Sequence, residues 1–179
     1  ITGGARSGKS DFAEVRAAAT ERPVTYIATL DGMDEEMRDR IARHRARRPA
    51  TWRTVQAGAD LVAAAGEAEG GDTLLLDCIA VWTSNRLLAL ADDAPSPDTL
   101  ATLERDVTQQ VDAFLGAVAA REGPTIVVTN EVGDGLVPPY PLGRAYRDLL
   151  GRVNQRVSRA AGTAYLVVVG RALSLPPAL

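Results

Sequence analysis

Four short apolar runs punctuate the chain, at Val24–Ala28, Thr73–Asp77, 125–129 and 164–169. Runs apolar at consecutive positions and this short suit strands buried on both faces. The stretches between them read as helices over 10–20, 34–45, 59–67, 79–90, 99–120 and 142–161. Thr99 is the expected cap of the long helix. Leu142, Ala145, Leu149, Val153 and Val157 fall at core spacing, so the last helix is read as structural. The segment 91–98, with two prolines and three aspartates, is a surface connection, and 130–141 is a loop rich in glycine and proline. Strands alternating with helices define an α/β fold with a mostly parallel sheet and helices on both faces. At 179 residues, one domain over 1–179 is expected. No internal repeat is visible.

The first helix is preceded by Gly3-x-x-x-x-Gly8-Lys9-Ser10, the full phosphate-cradle pattern. Glycines let the backbone turn so that successive N–H groups face phosphate oxygens. The helix beginning near Ser10 adds its positive end. Lys9 reaches the outer phosphates, and the Ser10 hydroxyl is placed for Mg²⁺. Such a loop follows a buried strand. The chain enters the loop almost at once, so the sequence is expected to lack the first residues of that strand.

Composition narrows the chemistry. The hydrophobic fraction of 46% supports a core, and the net charge of -3 gives no global basic field for nucleic acid. No apolar run approaches the ~20 residues needed to span a bilayer. The single cysteine, Cys78, excludes an internal disulfide, and a cytoplasmic location is expected. The single histidine, His44, and that one cysteine cannot build a Cys/His zinc site. Lys9 is the only lysine among many arginines, standing where a compact charge is needed.

Three further residues have open readings. Asp77 ends an apolar strand, where an acid can complete a magnesium shell or cap the helix that follows. His44 shares a helical face with Met37 and Ile41, near Arg43, Arg45, Arg47 and Arg48. Neighbouring guanidinium groups favour neutral, nucleophilic imidazole and could neutralise a triphosphate. A partly buried structural histidine fits the same pattern. Glu131 could contact substrate or magnesium, or satisfy backbone donors in its own loop. Arg147 and Asp148 read as an exposed helical pair of little worth.

Several segments together resemble a known family. They are Thr2 through Ser10, Tyr26-Ile27-Ala28-Thr29, and Glu36-Met37 leading into Arg40-Ile41-x-x-His44-x-x-x-Arg48-Pro49-x-x-Trp52. Further on come Leu75-Leu76-Asp77-Cys78 with Asn85, and Thr129-Asn130-Glu131-Val132-Gly133-x-Gly135-x-Val137-Pro138. Last is Arg147-Asp148-x-x-Gly151-x-x-Asn154-Gln155. In these the chain is similar to the bifunctional adenosylcobinamide kinase / adenosylcobinamide-phosphate guanylyltransferase family of cobalamin biosynthesis.

The resemblance implies a RecA-like P-loop NTPase fold, a homotrimer, and two reactions around one nucleotide region. In one, adenosylcobinamide is phosphorylated from ATP or GTP with Mg²⁺. In the other, His44 is guanylylated by GTP and passes GMP to adenosylcobinamide phosphate. By position it implies a catalytic set of His44, Lys9 and Asp77, with Ser10 and Asp77 at the metal. Nucleotide contacts are implied for Gly3, Gly4, Ala5, Arg6, Ser7, Gly8, Lys9, Ser10, Ala28, Thr29, Leu30, Arg45, Ala46, Arg47, Arg48, Gln56 and Asp77. Members often carry glutamate where this chain has Gln56, which bears on guanine recognition. A simple small-molecule kinase would explain the cradle and Asp77 without the His44 segment. A non-enzymatic nucleotide switch fits less well, because the lysine of its guanine-reading loop is absent.

Overall fold

The run Thr73–Asp77 becomes an interior strand because nothing in it needs solvent: Leu74, Leu75 and Leu76 are all fully buried. The computed structural model describes residues 1–30 and 48–178. In chain order its elements are α1 (Lys9–Ala18), β1 (Val24–Ala28), β2 (Arg53–Gln56), α2 (Leu61–Gly66) and β3 (Thr73–Asp77). There follow α3 (Ile79–Leu88), α4 (Pro97–Ala119), β4 (Thr125–Val128), α5 (Pro141–Ala160), β5 (Ala164–Val168) and β6 (Arg171–Leu175).

Four strands form a parallel sheet in the order β2-β1-β3-β4, and β5 pairs antiparallel with β6. Residues 1–3 join the two pieces. The Ile1 nitrogen donates to the Val127 carbonyl at 2.8 Å, and the Ile1 carbonyl accepts from the Thr129 N–H at 2.9 Å. On the other side the Thr2 N–H donates to the Tyr165 carbonyl and the Val167 N–H to the Thr2 carbonyl, both at 2.8 Å. The glycine loop therefore departs from the middle of a continuous hydrogen-bonded surface.

Alternate strand positions feed two cores, as a period of two requires. Ile27, Val55, Leu74 and Leu76 pack with α2, α3 and α4, where Trp82 and Phe114 are the largest side chains. Val24, Tyr26, Leu75 and Val128 pack on the other side against Ala13 and Ala17 of α1. Alanines there let the cradle helix lie close to the sheet. On α5, Leu149 and Val153 join the first core, with Leu142, Ala145 and Val157 packed against it, as their spacing predicted.

The α/β order and the mostly parallel sheet agree with the sequence reading, and β1 and β3 fall on their predicted bounds. Three points differ. The strand β2 was not foreseen, because only Val55 of its four residues is buried. The strand β6 was not foreseen either, since all five of its residues are exposed. The long helix is capped by Ser96 rather than Thr99: the Ser96 Oγ accepts from the Thr99 N–H at 3.2 Å. Pro97 suits the first helical position, where its fixed φ fits and no N–H is required. The predicted helix over 34–45 lies outside the described residues.

Replacing the buried Phe114 with alanine is expected to lower the unfolding free energy by about 3–5 kcal/mol. Leu136→Ala, at a position 97% exposed, should change it by less than about 0.5 kcal/mol. Urea unfolding followed by circular dichroism checks both.

Candidate active site

Parallel strands in register bring their carboxyl ends to one edge: Ala28 pairs with Asp77, and Asp77 with Val128. Residues that follow these strands therefore meet the glycine loop at a common rim, the usual ligand position in such sheets. Gly3 begins the loop because nothing larger fits. A Cβ there would lie 2.4 Å from the Val167 carbonyl oxygen and 2.7 Å from the Ser7 Oγ. Gly8 ends it with φ 92, in the left-handed region that glycine tolerates. No side chain caps α1 at Gly8, which suits a helix end meant for an anion. Lys9 folds back across the loop, its Nζ donating to the Gly4 carbonyl at 3.2 Å. The Gly170 N–H donates to the Ser7 carbonyl at 2.8 Å and braces the turn from behind.

A cavity of about 270 Å³ opens over this loop. Ala5, Arg6, Lys9 and Ser10 line it from the cradle, and Ala28, Thr29 and Leu30 from the end of β1. Asp77 and Cys78 line it from the end of β3, with Asn130 and Arg48 completing the wall. Of the other nominated residues, Gly3, Gly4, Ser7 and Gly8 shape the turn without appearing on that wall. Gln56 stands exposed on β2 and off the wall, its Nε2 donating to the Leu30 carbonyl at 3.1 Å. His44, Arg45, Ala46 and Arg47 lie outside the described residues.

Asp77 does not cap α3. The cap residue is Cys78, with no side-chain cap bond, and the Asp77 Oδ2 accepts from the Tyr26 hydroxyl at 2.9 Å. Thr29 fixes the next residue from both sides: its Oγ1 donates to the Cys78 carbonyl at 2.8 Å and accepts from the Cys78 N–H at 3.0 Å. The Asp77–Cys78 peptide bond is cis. Behind Tyr26, the Arg48 guanidinium lies 3.3 Å from the ring centroid, and its Nε sits 3.9 Å from Glu14 Oε1 on α1.

Burial, and then the nearby Asp77 charge, push the Tyr26 hydroxyl far above the ordinary tyrosine range, so it remains a donor. Burial also raises the Glu14 carboxyl, against the opposing pull of Arg48. Burial, with Asp77 next to it, pushes the Cys78 thiol up to about 11.

Past β4, α5 holds the glycine-proline loop. The Asn154 Nδ2 donates to the Asn130 carbonyl at 2.9 Å, and Arg147 donates to the Gly133 carbonyl at 2.7 Å. Arg144 donates to the carbonyls of Pro138 and Pro139 at 3.0 and 2.8 Å. Arg147 is thus a loop anchor rather than half of an exposed pair. Glu131 Oε1 accepts from the Gly133 N–H at 2.5 Å, so that oxygen satisfies its own loop. The Asn130 Oδ1 at the cavity wall is buried with no hydrogen-bond partner among the described residues. Sequence reasoning assigned no role to Tyr26 or Asn130. Their only signal was membership of segments that carry the family resemblance.

A glycine loop opening an uncapped helix at the carboxyl edge of a parallel sheet, with a strand-end aspartate in the same cavity, defines a P-loop nucleotide-binding protein. Residues 1–175 match the CobU family, cobinamide kinase / cobinamide phosphate guanyltransferase. The chain is 40% identical over 172 residues to the bifunctional adenosylcobalamin biosynthesis protein CobU of Salmonella typhimurium (strain LT2), covering 95% of this chain and 94% of that protein. It is 42% identical over 176 residues to the bifunctional adenosylcobalamin biosynthesis protein CobP of Pseudomonas aeruginosa, covering 98% and 95%. It is 37% identical over 174 residues to CobU of Escherichia coli (strain K12). The chain belongs to this family of kinases and nucleotidyltransferases.

At pH 8 the native Cys78 should react with a disulfide reagent about a hundredfold more slowly than the urea-unfolded thiol, as a two-unit rise in pKa requires. The rise runs from an ordinary value of 9.0 to about 11. Across that window the unfolded chain forms thiolate while the native one does not, so stability should fall as pH rises. Reagent kinetics and urea midpoints test both.

Proposed function

We propose that this protein phosphorylates adenosylcobinamide from ATP or GTP, and transfers GMP from GTP to adenosylcobinamide phosphate through a guanylylated His44. The observation that carries this reading is the family match over residues 1–175, joined to a cradle and strand-end acid that share one cavity. In the kinase reaction the acceptor hydroxyl oxygen bonds to the γ-phosphorus of the donor, and the nucleoside diphosphate leaves. In the transferase reaction an imidazole nitrogen of His44 bonds to the α-phosphorus of GTP, and pyrophosphate leaves. A phosphate oxygen of adenosylcobinamide phosphate then displaces the histidine, giving adenosylcobinamide-GDP. A covalent relay of this kind splits one hard transfer into two easier ones.

The chain's own residues supply positioning and charge. The uncapped α1 terminus and the loop amides take the phosphates, and Lys9 neutralises the outer ones. Mg²⁺ fits the donors present. Ser10 and Asp77 offer hard oxygens on one cavity wall, and no cluster of three or more acidic, His or Cys ligands exists among the described residues. Sparse protein ligation suits an ion that keeps its waters and phosphate oxygens. When bound, it neutralises charge between the phosphates.

We further read the working form as a cytoplasmic homotrimer. The exposed Val169 and Leu173 beside the β5–β6 edge support self-association. Among the described residues no helix is long and apolar enough to cross a membrane. A sedimentation mass three times that of the 18.9 kDa chain is expected, and a monomer would remove this part of the reading.

The decisive experiment incubates the protein with α-³²P-labelled GTP and Mg²⁺, then denatures it. Label stable in base, lost in acid and absent from His44→Ala is the expected result, with kinase activity retained in that variant. A folded protein that binds nucleotide but takes no label would leave a simple kinase as the better account. Lys9→Ala is expected to slow both reactions by about a hundredfold, read as kcat/KM for each.

A further inference from the structure

We propose that Tyr26 is a positioning residue that aims the Asp77 carboxylate into the nucleotide cavity, and that Arg48 and Glu14 hold Tyr26 in place for it. The proposal rests on the reading that the cavity takes a nucleotide together with a divalent cation.

An aspartate at a cavity wall can rotate about its side-chain bonds, and a cation site needs one orientation. The Tyr26 hydroxyl removes that freedom by donating to Oδ2 at 2.9 Å, on a residue that lines the cavity. A phenol suits this task because it is neutral. An arginine in the same place would satisfy the carboxylate and repel the incoming ion. One guanidinium on this wall is in fact diverted. Arg48 pairs with Glu14 rather than Asp77, and it lies over the Tyr26 ring at 3.3 Å.

The Arg48 side chain is only 7% exposed, so it fills space as well as carrying charge. Its contact with the ring face is of the cation–π kind. Tyr26 itself is 3% exposed, which leaves the hydroxyl little room to take another partner. The string Glu14–Arg48–Tyr26–Asp77 therefore ties the cradle helix α1 to the end of β3. It passes through Arg48, four places after His44 in sequence.

The test uses Mn²⁺ as a spectroscopic stand-in for the cation. Free Mn²⁺ is measured by electron paramagnetic resonance during titration of the whole protein with an α,β-methylene GTP analogue, whose α-phosphorus has no pyrophosphate to lose. Tyr26→Phe keeps the ring beneath Arg48 and removes only the hydroxyl. It is expected to weaken Mn²⁺ binding about tenfold, the scale of one hydrogen bond to a charged group. Nucleotide affinity in EDTA should stay unchanged. Asp77→Asn should weaken Mn²⁺ at least as much, and the double variant no further, because the two act as one unit.

A purely structural tyrosine would lower the melting midpoint and leave Mn²⁺ affinity intact. That result, alongside a real loss in Asp77→Asn, overturns the proposal and spares the functional reading. A wild-type protein that binds the analogue without taking up Mn²⁺ removes the cation reading and the proposal with it. Should Tyr26→Phe not fold, Glu14→Gln makes the same test by releasing Arg48. A severalfold loss of Mn²⁺ affinity then supports the anchor, and an unchanged affinity overturns it.

Discussion

The active edge of this protein depends on one close approach, that of Gly3 to the strand beside it. Its α-carbon sits where any side chain would meet the Val167 carbonyl and the Ser7 hydroxyl. Because of that contact, residues 1–3 can lie between β4 and β5 and still turn at once into the loop that opens α1. Backbone hydrogen bonds on both sides fix where the turn begins, and the alanine-faced helix fixes where it ends. The phosphate cradle is thus placed by main-chain packing, which needs little from side chains beyond their absence.

Charge is arranged around that cradle by burial as much as by pairing. A neutral tyrosine meets the strand-end carboxylate, a guanidinium lies flat on the tyrosine, and a second carboxylate balances it from α1. Removing any one member of such a buried set leaves another without its partner, which costs more than the pair itself contributes. The Cys78 thiol beside Asp77 stays protonated for the same reason: burial disfavours a second negative charge there.

Much of this was legible in the sequence, and the pattern of what was not has physical causes. The strands β1 and β3 were readable because the first four positions of each are buried and mostly apolar. At the edges that rule lapses: β2 is polar but for Val55, and β6 is exposed throughout with only a short, mixed sequence, so neither left a signal. Ser96 was overlooked as a cap because Thr99, three residues on, also carries a hydroxyl; the proline between them decided the matter. The cradle could be read directly, since its chemistry is local in sequence. The Tyr26–Asp77 bond could not, because it joins strands 51 residues apart and depends on their register. Arg147 was misjudged likewise: its partner, the Gly133 carbonyl, lies one loop earlier rather than at the neighbouring Asp148.

The two arginines of α5 that hold the glycine-proline loop have a mechanical consequence. They grip backbone carbonyls at Gly133, Pro138 and Pro139, so the loop's base is fastened to the helix while Leu136 at its tip projects freely. Loop and helix form one stiff lever. Asn154, further along the same helix, holds the Asn130 carbonyl at the cavity rim. Any tilt of α5 would move the tip and the rim together, making displacement at the surface and shape at the nucleotide edge two readings of one coordinate.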